Sequence, residues 1–193
     1  APRMTYFVTG ATGFIGRYLV QSLLQKGKGT IYVLIRPRSI GKLDELREFW
    51  GKDSLKRVVP VKGALGLPKL GVGKADVAKL KGKIKHFYHL GAVYDLEASA
   101  EAMEKANITG TRGALEFAET VNAGCFHLVS SIAAAGLYRG TFTEDMFEEA
   151  EELDHPYHRT KHDSEAMVRA NGRIPFRVYR PGVVLGHSQT GFI

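Results

Sequence analysis

Thr9-Gly10-Ala11-Thr12-Gly13-Phe14-Ile15-Gly16 stands between an apolar run, Tyr6–Thr9, and an amphipathic segment, Phe14–Gln25. Glycines at 10, 13 and 16 permit a tight turn, close approach of backbone to a bound group, and close packing of the helix that follows. A strand before such a turn and a helix after it is the setting in which backbone N–H groups and a positive dipole end cradle a dinucleotide pyrophosphate. The spacing is Gly-x-x-Gly-x-x-Gly rather than Gly-x-Gly-x-x-Gly, and a plain glycine-rich turn is the competing reading. The flanking elements decide for dinucleotide binding. Gly10, Thr12, Gly13, Phe14, Ile15 and Gly16 are therefore expected at the cofactor, with the side chains of Phe14 and Ile15 turned to the core.

Outward from this turn, strand-like runs alternate with helical patterns. Thr30–Ile35, Arg57–Val61, Ile84–Leu90, Cys125–Ser130 and Phe176–Tyr179 read as further strands. Leu43–Trp50, Glu97–Val121 with a break at Asn107–Gly110, and Pro156–Ala170 read as helices, the last with proline at its start, where a missing N–H does no harm. Pro68–Gly73 reads as a loop and the acidic run Glu144–Glu152 as surface. Six strands with helical crossovers predict an α/β fold: a Rossmann-type, doubly wound parallel sheet forming one domain over residues 1–193.

Lys plus Arg number 27 and Asp plus Glu 20, a net charge of +7. Much of the excess lies in Lys69, Lys74, Lys79, Lys81, Lys83 and Lys85. No aromatics are interleaved there and no zinc-finger or helix-turn-helix spacing accompanies them, so a solvated face is expected and nucleic acid is not. The single cysteine, Cys125, excludes an internal disulfide and a cysteine-rich metal site and fits a reducing cytoplasm. It is expected to be a buried structural thiol. No apolar stretch reaches the ~18 residues of a membrane span, and Ala1-Pro2-Arg3-Met4 leaves no room for a signal peptide.

Three further features carry chemistry. An NAD-specific site places an acid about 20 residues beyond the glycine turn; this chain has Ile35-Arg36-Pro37-Arg38. Guanidinium groups fork onto a phosphate where a carboxylate would repel it, so Arg36 and Arg38 point to NADPH (NADP+), against an ordinary basic loop. Tyr157 and Lys161, at i and i+4, share one helix face, and an ammonium beside a phenol favours proton exchange at a carbonyl or alcohol oxygen. The spacing alone is common. Its position between the fifth and sixth strands gives it weight. Ser130-Ser131 ends the fifth strand, at the sheet edge where open α/β folds bind ligands; a loop cap is its plainer reading.

With TGATGFIG at 9–16, HLGAVYD at 89–95, NITGT at 107–111, VSS at 129–131, YHRTK at 157–161 and YRPG at 179–182, the chain resembles the extended short-chain dehydrogenase/reductases. More narrowly, YVLIRPRS, VSSIAAAGLY, FTEDMFEEAEELDHPY and RTKHDSEAMVR look like bacterial alcohol-forming fatty acyl-CoA reductases. The resemblance implies Tyr157 as general acid, Lys161 as its partner and nicotinamide-ribose ligand, Ser131 as donor to the substrate oxygen, and Asn107 as holder of a relay water. It also implies Leu90, Gly91 and Ala92 beside the cofactor and Pro181, Gly182 and Val183 against the nicotinamide. Gly63-Ala64-Leu65 stands where such enzymes show Gly-Asp-Leu, so Ala64 and Leu65 keep a backbone contact while one polar adenine contact is lost.

The expected reaction is hydride transfer from NADPH to the carbonyl of a fatty aldehyde or acyl thioester, toward the alcohol. The alternatives are an epimerase/dehydratase or a ketone or sterol reductase of the same fold, and a non-catalytic NADP(H) sensor. A sensor would not need Tyr157 and Lys161. His155, His158 and His162 lack an acidic or cysteine partner, and His86, His89 and His127 read as structural, so no metal is expected. Oligomerisation is left open.

Overall fold

The computed structural model describes residues 3–92 and 98–191. Val93–Asp95 of the HLGAVYD motif, and Glu97, lie outside that range. The strands are β1 (Tyr6–Thr9), β2 (Ile31–Ile35), β3 (Val58–Lys62), β4 (His86–His89), β5 (Phe126–Val129) and β6 (Phe176–Tyr179). The helices are α1 (Phe14–Lys26), α2 (Gly41–Trp50), the single turn α3 (Ser54–Arg57), α4 (Lys74–Leu80), α5 (Ala100–Met103), α6 (Gly110–Thr120) and α7 (Pro156–Arg169). All strand pairs are parallel in the order β3-β2-β1-β4-β5-β6. The order reverses between β1 and β4, and a doubly wound sheet opens a ligand crevice at that point.

Alternation along the strands sorts the core into two layers. Phe7 lies abreast of Phe87 and Phe87 abreast of Phe126, with stacked rings 4.7 and 5.4 Å apart. These rings pack with Leu80 of α4, Ala114 and Phe117 of α6 and Val168 of α7. Val8, Ile31 and Val33 face the other way, onto Val20 and Leu23 of α1 and Leu43 and Trp50 of α2. The Trp50 Nε1–H donates to the Arg17 carbonyl at 2.8 Å, tying α2 to α1.

Two expectations are refined. The lysine-rich stretch contains α4, whose only apolar anchors are Val77 and Leu80, too few for a periodic signal. All six of its lysines are exposed. The break expected at Asn107–Gly110 is a π-helical segment, Glu104–Thr109, which joins α5 to α6 without a stop. The Gly110 N–H reaches back five residues to the Lys105 carbonyl there. That wider turn is how the helix absorbs one extra residue.

Candidate active site

The glycine turn owes its shape to contacts only glycine allows. Gly10 has φ +74°, and a Cβ on it would lie 2.8 Å from the Gly91 nitrogen; a Cβ on Gly16 would lie 2.0 Å from the Gly10 carbonyl oxygen. Gly13 N–H donates to that same oxygen at 3.0 Å, closing the turn at the start of α1. The turn forms one wall of a cavity of about 1150 Å³ at the carboxyl ends of the strands.

Most of the residues expected at the site meet there. Gly10, Thr12, Gly13, Phe14, Ile15 and Gly16 line the cavity with Arg36, Ala64, Leu65, Leu90, Gly91, Ala92, Ser131, Tyr157, Pro181, Gly182 and Val183. Phe14 and Ile15 are half-buried, so they serve the cavity wall as well as the core. Three expected residues are placed otherwise. Arg38 is exposed and off the wall, because the tight turn Pro37–Ser39 carries it outward; Ser39 and Lys42 line the cavity beside Arg36 instead. Lys161 and Asn107 sit behind the wall, each about 2% exposed.

That second layer is hydrogen-bonded. The Lys161 ammonium donates to the Val129 carbonyl at 3.5 Å, and burial lowers its pKa from the ordinary 10.5 to about 8. Asn107 Nδ2 donates to Thr160 Oγ1 at 3.1 Å, tying the π segment to the middle of α7. Ser131 Oγ accepts from the Ala133 N–H at 3.1 Å, as a strand-end cap does, and keeps its own proton to donate. Tyr157 lies in the first turn of α7, where His155 Nδ1 caps its N–H at 3.1 Å.

Several stretches of chain converge on Glu165, a residue the sequence reading did not single out. It is fully buried on α7. Its carboxylate accepts from Ser130 Oγ at 2.8 Å, from Arg169 Nε at 2.8 Å and from Arg180 Nη2 at 2.6 Å. Burial pushes its pKa up, but the bonds from Arg180, Ser130 and Arg169 outweigh it and hold the carboxyl below the ordinary range. Arg180 also donates to the Met146 carbonyl at 2.8 Å. One carboxylate thus joins the strand end that carries Ser131, the strand end that precedes Pro181 and the helix that carries Tyr157.

The histidines divide. His89 is buried between Thr9 Oγ1 (2.7 Å) and Thr111 Oγ1 (3.1 Å), and burial lowers its pKa to about 3. It is structural. His155, His158 and His162 do not converge: His155 caps α7, His158 lines the cavity and His162 Nδ1 lies 2.9 Å from the Ala134 carbonyl. The sequence reading also missed Lys105 and His158 on the wall, and Ile132 and Leu137 at its mouth.

A parallel sheet with a glycine turn at its switch point, and a Tyr-x-x-x-Lys helix behind the next strand end, defines an extended short-chain dehydrogenase/reductase. The chain belongs to the Male sterility protein family, whose NAD-binding domain matches residues 8–193. Among curated relatives, a linear gramicidin synthase polypeptide of Brevibacillus parabrevis is 32% identical over 95% of this chain and 4% of its own length. A putative fatty acyl-CoA reductase of Drosophila melanogaster, CG8303, is 28% identical over 97% of this chain and 42% of its own. The solved terminal R domain of the myxalamid PKS-NRPS pathway superposes with a TM-score of 0.87 at 31% identity, covering 98% of this chain and 52% of that one. UDP-glucuronic acid 4-epimerase from Bacillus cereus, in complex with NAD, gives 0.72 at 26% identity over 96% and 59%. The chain therefore spans less than two thirds of each of these relatives.

Proposed function

We propose that this chain is the cofactor-binding and proton-donating module of an NADPH-dependent reductase that transfers hydride to the carbonyl of a fatty aldehyde or acyl thioester. The observation that carries this reading is the convergence of the glycine turn, Ser131 and Tyr157 on one cavity at the sheet's switch point. The cofactor supplies the hydride. The chain's own residues do the rest. The glycine turn and the first N–H groups of α1 hold the pyrophosphate. Ser131 donates to the carbonyl oxygen and Tyr157 delivers the proton as that oxygen gains charge. Lys161, one helical turn beyond, supplies positive charge from behind the wall. With a thioester, collapse of the hemithioacetal would release thiol and aldehyde, and a second NADPH, bound after NADP+ leaves, would supply the hydride that gives the alcohol.

The substrate class is supported by the cavity mouth. Ile132, Leu137 and Val183 are more than half exposed and sit on its rim, an apolar lip suited to a hydrocarbon chain. The test is absorbance decay of NADPH with decanal and then decanoyl-CoA, alongside direct NADPH titration. Steady decay with either substrate supports the reading. NADPH binding without decay would overturn the substrate class, and tight copurifying NAD with no net consumption would favour an epimerase.

Two expected outcomes follow from the wall and from Lys161. Arg36 and Lys42, with the Ser39 hydroxyl beside them, line the cavity as a cationic rim, suited to a ribose 2′-phosphate. The double variant Arg36→Ala, Lys42→Ala should weaken NADPH binding by about 150-fold or more, at about 1.5–3 kcal/mol for each of two hydrogen bonds to a charged group, and leave NADH binding nearly unchanged. Equal loss for both cofactors would defeat the assignment. Lys161, with its pKa near 8, is charged below that pH and neutral above it. The pH profile of kcat/KM should therefore fall above about pH 8. Folding stability should move oppositely, rising between about pH 8 and 10.5, where the unfolded chain binds the proton that the folded chain has released. Melting curves across that window check the sign.

A further inference from the structure

The structure assigns a divalent-metal site of the zinc type to His86, Cys125 and His127, on the sheet face away from Phe87 and Phe126. The sequence reading gave all three structural roles and expected a buried thiol, but Cys125 is only half-buried, because it lies just before β5 rather than within it. Parallel register places them together. Phe87 lies abreast of Phe126, so His86 stands beside Cys125, which immediately precedes β5, and Tyr88 beside His127. Cys125 and His127, two residues apart, point to the same face. The three donor atoms all lie within 4.8 Å of one another.

The two imidazoles already aim at a common point. His86 Nδ1 and His127 Nε2 are 3.0 Å apart, sharing one proton between two lone pairs. His127 Nδ1 lies 3.0 Å from the Tyr179 hydroxyl. If that nitrogen carries the proton, it donates to the phenol and leaves Nε2 as the inward donor. An outer partner of this kind fixes tautomer and ring orientation in histidine–metal sites. The rings are also clamped: Tyr88 stacks on His127 at 4.3 Å, and Tyr6 on His86 at 6.0 Å.

A tetrahedral ion with Zn–N of ~2.0–2.1 Å and Zn–S of ~2.3 Å separates its donors by roughly 3.3–3.6 Å. Donors at the present spacing need only small side-chain rotations to meet that figure. Two imidazoles and a thiolate suit zinc or copper rather than calcium or magnesium. Binding converts the Cys125 thiol to thiolate and releases its proton to solvent, and the proton between the imidazoles moves to His86 Nε2. Three ligands leave a fourth position open. Cys125 and His86 are half-buried, so an ion has access. Burial pushes the Cys125 thiol up, which Arg177, abreast of His127 on β6, only partly offsets; that cation also opposes the ion, so micromolar rather than picomolar affinity is expected.

The test is a titration of the tag-free chain with Co²⁺ under a non-thiol reductant, read by thiolate-to-metal charge transfer in the near ultraviolet and by the visible bands of tetrahedral cobalt. One equivalent should bind with both signatures, and Zn²⁺ should displace it. Cys125→Ser should abolish the charge-transfer band, and His86→Ala should abolish the tetrahedral visible bands. Tyr179→Phe should keep both signatures and weaken binding by about tenfold, as loss of an outer partner does. A triple variant, His155→Ala, His158→Ala, His162→Ala, should bind as the parent does. Absence of charge transfer in the parent, or its persistence in Cys125→Ser, overturns the assignment. So does a visible spectrum of octahedral cobalt only. Circular dichroism and NADPH titration of each variant identify any loss that reflects misfolding, and His86→Gln is the second variant should His86→Ala fail to fold.

Discussion

Tyr157→Phe should reduce kcat for carbonyl reduction by 10²–10⁴-fold while NADPH still binds with parental affinity. The substitution removes one oxygen from a half-buried side chain on the cavity wall. The ring keeps its place, because α7 is held by His155 at its start and by Thr160, Lys161 and Glu165 on its buried face. On the proposed mechanism, what is lost is the proton donor that shares the cavity with Ser131. The protonation step must then draw on water, and the size of the loss is that of a positioned general acid. KM for the carbonyl substrate should change less than kcat, since the proposed bond from Ser131 to its oxygen is untouched. Single-turnover reduction of an aldehyde, with NADPH titrated separately, reads both effects. A variant that turns over at the parental rate would remove Tyr157 from the chemistry.

Glu165→Ala should be the most destabilising single change in this region, by about 3–5 kcal/mol. Truncation leaves the Arg180 guanidinium, at 13% side-chain exposure, without the carboxylate it pairs with at 2.6 Å. It also leaves the Ser130 hydroxyl without its acceptor in a buried setting. For a chain of this size the melting temperature should fall on the order of 10 °C. Glu165→Gln keeps the shape and one acceptor oxygen, so it should lose less. The tie is also acid-sensitive with a definite sign: its carboxyl pKa is depressed in the folded state, so its contribution is complete above the ordinary 4.5 and fades as pH falls through the lower folded value. Thermal melts at neutral and acid pH measure both. An alanine variant that melts within a degree or two of the parent would show that the two arginines find other partners.

What could be read in advance depended on whether the signal was local. β1 and β6 have the bounds that alternation predicts, and the glycine turn and Ser131 reach one cavity because each sits at a strand end, where the first turn of α7 brings Tyr157 to join them. Arg36 was legible and Arg38 was not, since a single tight turn at Pro37–Ser39 decides which guanidinium faces inward. Lys42 enters the rim from the first turn of α2, which no spacing rule ties to the glycine motif. Glu165 looked like one more helix acid. Its meaning comes from Arg180, 15 residues on, and from Ser130, 35 residues back. His86 and His127 are 41 residues apart and meet only because β4 and β5 are neighbours in the sheet.

The π-helical segment at Glu104–Thr109 has a consequence for how such a domain diversifies. It sits just after Ala102, and Lys105 and Ala106 within it line the cavity. Deleting one residue from it would restore ordinary i to i−4 pairing at little cost to the helix. The turn ahead of the deletion, Ala100–Met103, would then rotate by about 100° about the helix axis relative to α6. A new set of side chains would face the cofactor while α6, buried against the sheet, stayed in place. The extra residue therefore works as a clutch: a single codon gained or lost changes the cavity wall and repacks Met103 and Asn107 behind it, while the sheet-facing side of α6 keeps its place.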